Sequence, residues 1–190
     1  MNILIDDLPT DYCGYLINYT FKSGILISQC LIDESIGDES ERLYTAVRIL
    51  FGLGVPPPEV AIEGLTWFLN GGNTDKKESK SENESNEVFS FEDDSNRIYS
   101  AFMVKYGIDL NKSNMHFFTF LALFNDLDKT SFRRIVDLRN MNYKEIKQYS
   151  KEDQLRIKKL QREFAIRKNN NNYKDKNDSK TKFDMLIEGE

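Results

Sequence analysis

The residues able to do chemistry are few and scattered. One histidine, His116, stands directly before Phe117 and Phe118. It has no cysteine or second histidine near it in sequence, so it forms no zinc pattern. A lone histidine in an apolar stretch reads as structural. Two acidic clusters, Asp38, Glu39, Glu41 and Glu92, Asp93, Asp94, could in principle hold a cation or work as acid and base. Both fall where helices should begin, and carboxylates there offset the helix dipole. Capping is therefore the preferred reading. Gly52-Leu53-Gly54 is not a dinucleotide fingerprint, and neither a phosphate-binding GxxxxGK[ST] loop nor a GxSxG elbow occurs in the sequence. The expectation is a binding or assembly protein, not an enzyme, with no cofactor and no metal.

What remains is electrostatic. The chain carries a net charge of −5, unevenly spread. Residues 1–96 hold 6 basic and 18 acidic groups, giving −12, whereas residues 129–168 hold 13 and 5, giving +8. Arg133, Arg134, Arg139, Lys144, Lys147, Arg156, Lys158, Lys159 and Arg162 could neutralise phosphates. No recognised nucleic-acid module accompanies them, and the sequence pI is about 5.1. Solvated helix faces are preferred, with nucleic-acid binding by residues 129–168 kept as a second alternative. Arg133, Arg134, Lys158, Lys159 and Arg162 are the candidate partner-binding residues. Apolar positions beside them already account for core packing, so the cationic heads should reach water.

These residues must be positioned by a mainly α-helical bundle. Residues 11–21, Asp-Tyr-Cys-Gly-Tyr-Leu-Ile-Asn-Tyr-Thr-Phe, are rich in aromatic and β-branched residues and predict a short strand or hairpin broken at Gly14. Ser23 could cap a helix running to about Ile36. A second helix starts in the acidic run at 38–41, with Leu43, Val47, Leu50 and Phe51 as its stripe. Pro56 to Pro58 suit the start of a third, which carries Ala61, Leu65 and Phe68 on one face. Asn70-Gly71-Gly72 should end it.

Residues 73–87 contain no apolar side chain, so burial cannot offset their ordering entropy. They predict a disordered linker, drawn at 73–88. A further helical group spans 89–167 and should pack with 1–72 as one domain. Asp93, Asp94 or Ser95 could cap its first helix. Gly107 should stop that helix, so that the next, nearly all-apolar and central one over 111–127 packs against it as an antiparallel pair. Phe132, Ile135, Val136 and Leu138 should face inward, and Tyr143-Lys144-Glu145-Ile146 could form a short turn. Ser150 with Asp153 should make a capping box opening a last helix with Ile157, Leu160 and Phe164 as its stripe. Residues 168–190 predict a disordered tail in which Phe183 to Ile187 could be a docking segment.

Cys13 and Cys30 are read as free thiols in a reducing compartment. The N-terminus lacks a basic secretory n-region. The apolar run from Met115 to Phe124 is too short for a bilayer, which needs about 20 residues. The expected location is the cytoplasm, with no membrane partner.

Ile17 to Ile25, Ile98 to Phe102 and Tyr106 to Leu110, followed by the apolar stretch from Met115 and the basic last helix, together resemble the bacteriophage gene product fifteen family of Gram-positive phages and prophages. Ile98-Tyr99-Ser100-Ala101-Phe102 is similar to the family's Ile-Tyr-Ala-Ala-Phe, and Tyr106-Gly107-Ile108-Asp109-Leu110 matches its Tyr-Gly-Ile-Asp-Leu. Ile17-Asn18-Tyr19-Thr20-Phe21-Lys22-Ser23-Gly24-Ile25 resembles an Ile-Asn-Thr-Asp-Phe-Arg-x-Gly-Ile pattern, with Thr20 where aspartate is usual. Phe117 and Phe118 stand where tryptophans are usual, and Leu121 where arginine is. The resemblance covers roughly residues 8–166 and carries no established activity. It makes Ile98, Tyr99, Phe102, Tyr106, Gly107 and Asp109 signature residues with structural roles. It implies a tail-module protein acting in the bacterial host, a chaperone-like partner of the tape-measure protein. A structural tail or connector subunit of the virion is the alternative. Oligomeric state stays open.

Overall fold

A computed structural model describes residues 2–73 and 88–167. It is mainly helical, with eight α-helices and one small antiparallel hairpin among the described residues. Residues 74–87 of the expected linker, and the whole expected tail, lie outside the described residues. One boundary is corrected. Val88, the last residue of the expected 73–88 linker, packs half-buried against the core.

The hairpin pairs β1 (Asp11–Tyr12) with β2 (Tyr15–Leu16). Cys13 and Gly14 between them have φ values of 52° and 82°. Two positive φ angles in a two-residue loop are what a type I′ turn requires. Asp11 supports the turn by accepting the Gly14 N–H at 3.1 Å. Two residues per strand cannot stand alone. The hairpin leans on a helix instead, with the Tyr12 ring 4.9 Å from that of Trp67. Cys13 is exposed and Cys30 buried, both free.

Helix α1 (Phe21–Ile32) starts earlier and stops sooner than expected. Its cap is Thr20, whose hydroxyl accepts the Ser23 N–H; Ser23 itself lies inside the helix. Threonine caps nearly as well as aspartate, so the departure at position 20 keeps the local function. The helix ends because the Asp33 side chain accepts the Ser35 N–H at 2.9 Å. Such local bonding competes with helix continuation, and a 3₁₀ turn at Glu34–Ile36 follows.

Helix α2 (Glu39–Phe51) opens with a complete capping box of Asp38 and Glu41. Helix α3 (Pro58–Leu69) has proline in its first turn and ends at Gly71 and Gly72, both with positive φ. Helix α4 (Ser95–Tyr106) is stopped by Gly107 in the left-handed region at φ 67°. Helices α5 (Phe117–Asn125), α6 (Ser131–Asn140), the single turn α7 (Tyr143–Ile146) and α8 (Lys151–Glu163) complete the chain. Ser150 caps α8, but its expected box is not formed. Asp153 accepts from the Ser150 hydroxyl at 2.6 Å, not from its backbone N–H.

Helix α5 is the centre of the core. Phe117, Phe118 and Phe120 are all buried. Phe120 stacks on Phe21 of α1 at 5.2 Å and on Phe102 of α4 at 5.2 Å. Phe117 stacks on Phe68 of α3 at 5.0 Å. Phe118 meets the Trp67 ring edge-on at 5.4 Å. The expected antiparallel α4–α5 pair is not formed: Phe102 meets Phe120 and the Tyr106 hydroxyl bonds the Leu123 carbonyl, so contacts advance in the same sense along the two helices. The backbone of α5 lies along that of α1 more extensively than along α4, which reaches it through side chains. The ten-residue connection 107–116 carries α5 across to α1, where the Phe117 N–H bonds the Tyr19 carbonyl. Phe124, at the end of the apolar run, is half-buried at the edge of the core.

Gly24 makes this approach possible. A Cβ there would overlap the Phe117 ring. Because that ring is wedged against Phe68, it has little room to yield. Gly24→Ala should therefore destabilise by about 1–3 kcal/mol through overpacking. Chemical denaturation would show it, and an unchanged midpoint would mean that α5 does not sit this close to α1.

Candidate functional site

The signature residues build structure. Ile98 and Phe102 are in the core. The Tyr99 hydroxyl donates to Asp109 at 3.1 Å. Asp109 also accepts the Asn111 N–H at 3.0 Å and faces Lys112 at 3.3 Å. The Tyr106 hydroxyl donates to the Leu123 carbonyl at 2.9 Å. Together with the Gly107 stop, these bonds fix the connection that delivers α5.

His116 is buried and fully engaged. Its Nδ1 accepts the Phe118 N–H at 3.0 Å, capping α5. That leaves Nε2 as the protonated nitrogen, donating to the Pro9 carbonyl at 2.9 Å. The ring stacks on Tyr19 at 5.3 Å. Burial lowers its pKa below the ordinary 6.5, despite the opposing bond to Pro9. With both nitrogens occupied, the ring pins the N-terminal segment to the head of α5.

The carboxylates divide. Asp38 and Glu41 are taken up in capping. Asp93 accepts the backbone N–H of Arg167 at 2.7 Å. Asp94 departs from expectation, because it makes no side-chain cap. It is fully buried and bidentate with Arg139, at 2.5 and 3.0 Å. Arg97 and the Ser90 N–H complete its shell. Burial alone would raise its pKa. The hydrogen bond from Arg139, the Ser90 amide and the two guanidinium charges outweigh burial and hold it low.

Arg139 is accordingly removed from the basic surface. Its Nε donates to the Phe164 carbonyl at 2.6 Å and one Nη to the Val88 carbonyl at 3.2 Å. A sequence signal existed. Phe132, Val136 and Arg139 share the inward stripe of α6, so a cation there needed a buried partner. Nothing in the sequence pointed to Asp94, 45 residues away.

The five candidate partner-binding residues occupy two helices. Arg133 and Arg134 are exposed on α6, and Arg133 pairs with Asp137 one turn on at 3.0 Å. Lys158, Lys159 and Arg162 are exposed on α8. The Lys158 ammonium lies 5.8 Å from the ring of Tyr143, which also has Lys147 at 4.8 Å. Beside Arg133 opens a cavity of about 150 Å³, walled by Phe89, Phe124, Leu127, Phe132 and Val136. Sequence reading missed it because its walls come from three separate segments. Among the described residues no group of three or more His, Cys, Asp or Glu is placed to hold a metal ion, and no helix is long and apolar enough to cross a membrane.

Two outcomes follow from these geometries. Arg139→Met should cost about 3–5 kcal/mol, because it leaves a buried carboxylate short of its main partner. It should also expose residues 151–167 to limited proteolysis. Arg139→Lys should recover only part of the loss, since the planar fork is gone. An unchanged urea midpoint in the Met variant would contradict the assigned clamp. For His116 the folded pKa lies below the unfolded one, so the unfolded chain takes up a proton first. Its contribution is complete above about pH 6.5 and declines as pH falls below that value. The melting temperature should fall between pH 7.5 and 5, and His116→Asn, whose side chain does not titrate, should flatten that slope.

The family model described as Bacteriophage Gp15 protein matches residues 4–166 of the chain. No curated protein and no solved structure matches it.

Proposed function

The chain belongs to the bacteriophage Gp15 protein family, and on that premise we propose that it is a non-enzymatic tail assembly protein, a chaperone-like partner of the tape-measure protein. The family is one of phage proteins and points to structural or assembly work with other phage proteins. The finer reading rests chiefly on the outer face of α8. Leu155, Lys158, Lys159 and Arg162 follow helical spacing along one side. All are exposed, and Leu155 is 71% accessible. No residue of α8 is buried. Such a face joins steering charges to an apolar anchor, the division of labour seen in protein interfaces. An acidic, partly apolar helical segment is its natural complement. A tape-measure protein is long and helical, and needs cover in the host cytoplasm before the tail tube polymerises. The non-enzymatic reading is supported by how His116, Asp38, Glu41 and Asp94 are used, since each is committed to a structural bond.

Co-expression with tape-measure fragments and pull-down tests the reading. The combined Lys158→Glu, Lys159→Glu, Arg162→Glu variant should recover several-fold less fragment at low salt, with an unchanged melting temperature. Undiminished recovery would exclude this face, and failure of the wild type to retain any fragment would count against the chaperone role. Mass spectrometry of purified virions should lack the protein. Stoichiometric presence there would instead favour a structural tail or connector subunit. Salt-dependent retention of DNA would favour nucleic-acid binding, a reading weakened by the burial of Arg139 and the pairing of Arg133.

A further inference from the structure

The cavity beside Arg133 is walled by aromatic and aliphatic side chains and measures about 150 Å³. It is open to solvent and has Asn125 and Arg133 in its lining, and its volume is that of a space able to take one benzene ring. Its wall includes Phe89, two residues into the second described segment, and Phe132 and Val136 of α6. Asn125 and Arg133, both exposed, lie at its mouth.

The sequence contains a matching group. Residues 168–190 are otherwise polar apart from Tyr173 and a glycine, yet they include Phe183-Asp184-Met185-Leu186-Ile187. This segment lies outside the described residues. We propose that the cavity is a docking site for this chain's own 183–187 segment, with the Phe183 ring as the group received.

Three observations favour that occupant over another. The first is where the chain leaves the described domain. The Arg167 N–H is bonded to Asp93, and the Asp93 N–H approaches the Ser90 hydroxyl at 3.2 Å. Ser90 directly follows Phe89 in the cavity wall. The departure point is thus a few residues from the site. The second is reach. Phe183 comes sixteen residues after Arg167, a span of up to about 50 Å, against a radius of gyration of about 15 Å for a domain of this size. A tether of that length gives an effective concentration in the millimolar range, so a single apolar anchor can suffice. The third is charge. Lys182 precedes Phe183, but from Phe183 onward the segment carries only acidic charges, Asp184, Glu188 and Glu190, and the cavity mouth is cationic at Arg133, with Arg134 beside it in sequence. The present partner of Arg133 is the exposed Asp137 on its own helix, so little is lost by exchanging one exposed carboxylate for another. A docked tail would cover Arg133 and part of the α6 surface, and a partner engaging those residues would have to displace it. This inference does not depend on the identity of that partner.

The test uses the full chain and its Phe183→Ala and Phe183→Leu variants. Backbone hydrogen exchange of residues 88–91 and 131–136 should rise several-fold in Phe183→Ala and less in Phe183→Leu. Exchange in α1 to α3 should be unchanged, which also checks that the variants are folded. Fluorobenzene followed by fluorine NMR should bind Phe183→Ala and not the wild type. Identical exchange and fluorobenzene binding in wild type and Phe183→Ala would overturn the proposal. Protection of 88–91 that vanishes on dilution would also overturn it, by assigning the occupant to a second copy of the chain.

Discussion

The structure depends on burying α5. In nine residues this helix carries four phenylalanines and almost no polar group, so neighbours must cover its aromatic face, and only Ala122 and Asn125 are left exposed. Phe120 touches rings from α1, α4 and the segment before α4 as well as its own helix. That demand explains features which look unrelated in sequence. Gly24 is small so that α1 can meet Phe117. Trp67 and Phe68 lie on the face of α3 turned toward Phe118 and Phe117. The Tyr19–His116 stack and the Phe117 N–H bond to Tyr19 fasten the head of the helix to the N-terminal segment.

A second constraint governs the far side. Helix α8 has no buried side chain, so apolar burial alone gives it little hold. Arg139 compensates by binding the Phe164 carbonyl at its end, while Gln161 donates to the Leu138 and Met141 carbonyls. The same guanidinium holds Val88 and Asp94, which fixes how the second segment enters the domain. A buried pair is costly to desolvate and contributes little net stability when compared with packed hydrocarbon. Its value here is geometric: one planar fork sets the relative placement of three chain segments. The consequence is that the face of α8 turned away from α6 stays free, and the proposed partner surface follows from that freedom.

Local signals were legible and global ones were not. Helix α2 could be read from its acidic start because a capping box is closed by residues three apart. The ends of α3 and α4 were readable at Gly71, Gly72 and Gly107, since positive φ is a property of the residue and its turn. The ends of α1 differ from the expected ones because Thr20, Ser23 and Asp33 all compete for nearby amides. Which of them wins depends on where Phe117 anchors the start of the helix. The antiparallel α4–α5 pair is not what adjacency in sequence produces, since the connection 107–116 is long enough to bring α5 alongside α4 in the same sense.

By itself the sequence pointed to the helical class, a strand or hairpin broken at Gly14, the charge asymmetry and a structural reading of His116. Each follows from residue type, local spacing or composition. The tertiary structure alone decided which charges remain available. Arg133 and Arg139 are six residues apart and chemically identical, yet one faces water and the other lies beneath the surface on Asp94. Asp93 and Asp94 are neighbours, yet one receives a backbone amide and the other a guanidinium. The physical reason is that burial and partner choice depend on segments distant in the chain. A cation on an inward stripe announces that it needs a partner, but only the folded packing of α4 against α6 supplies one.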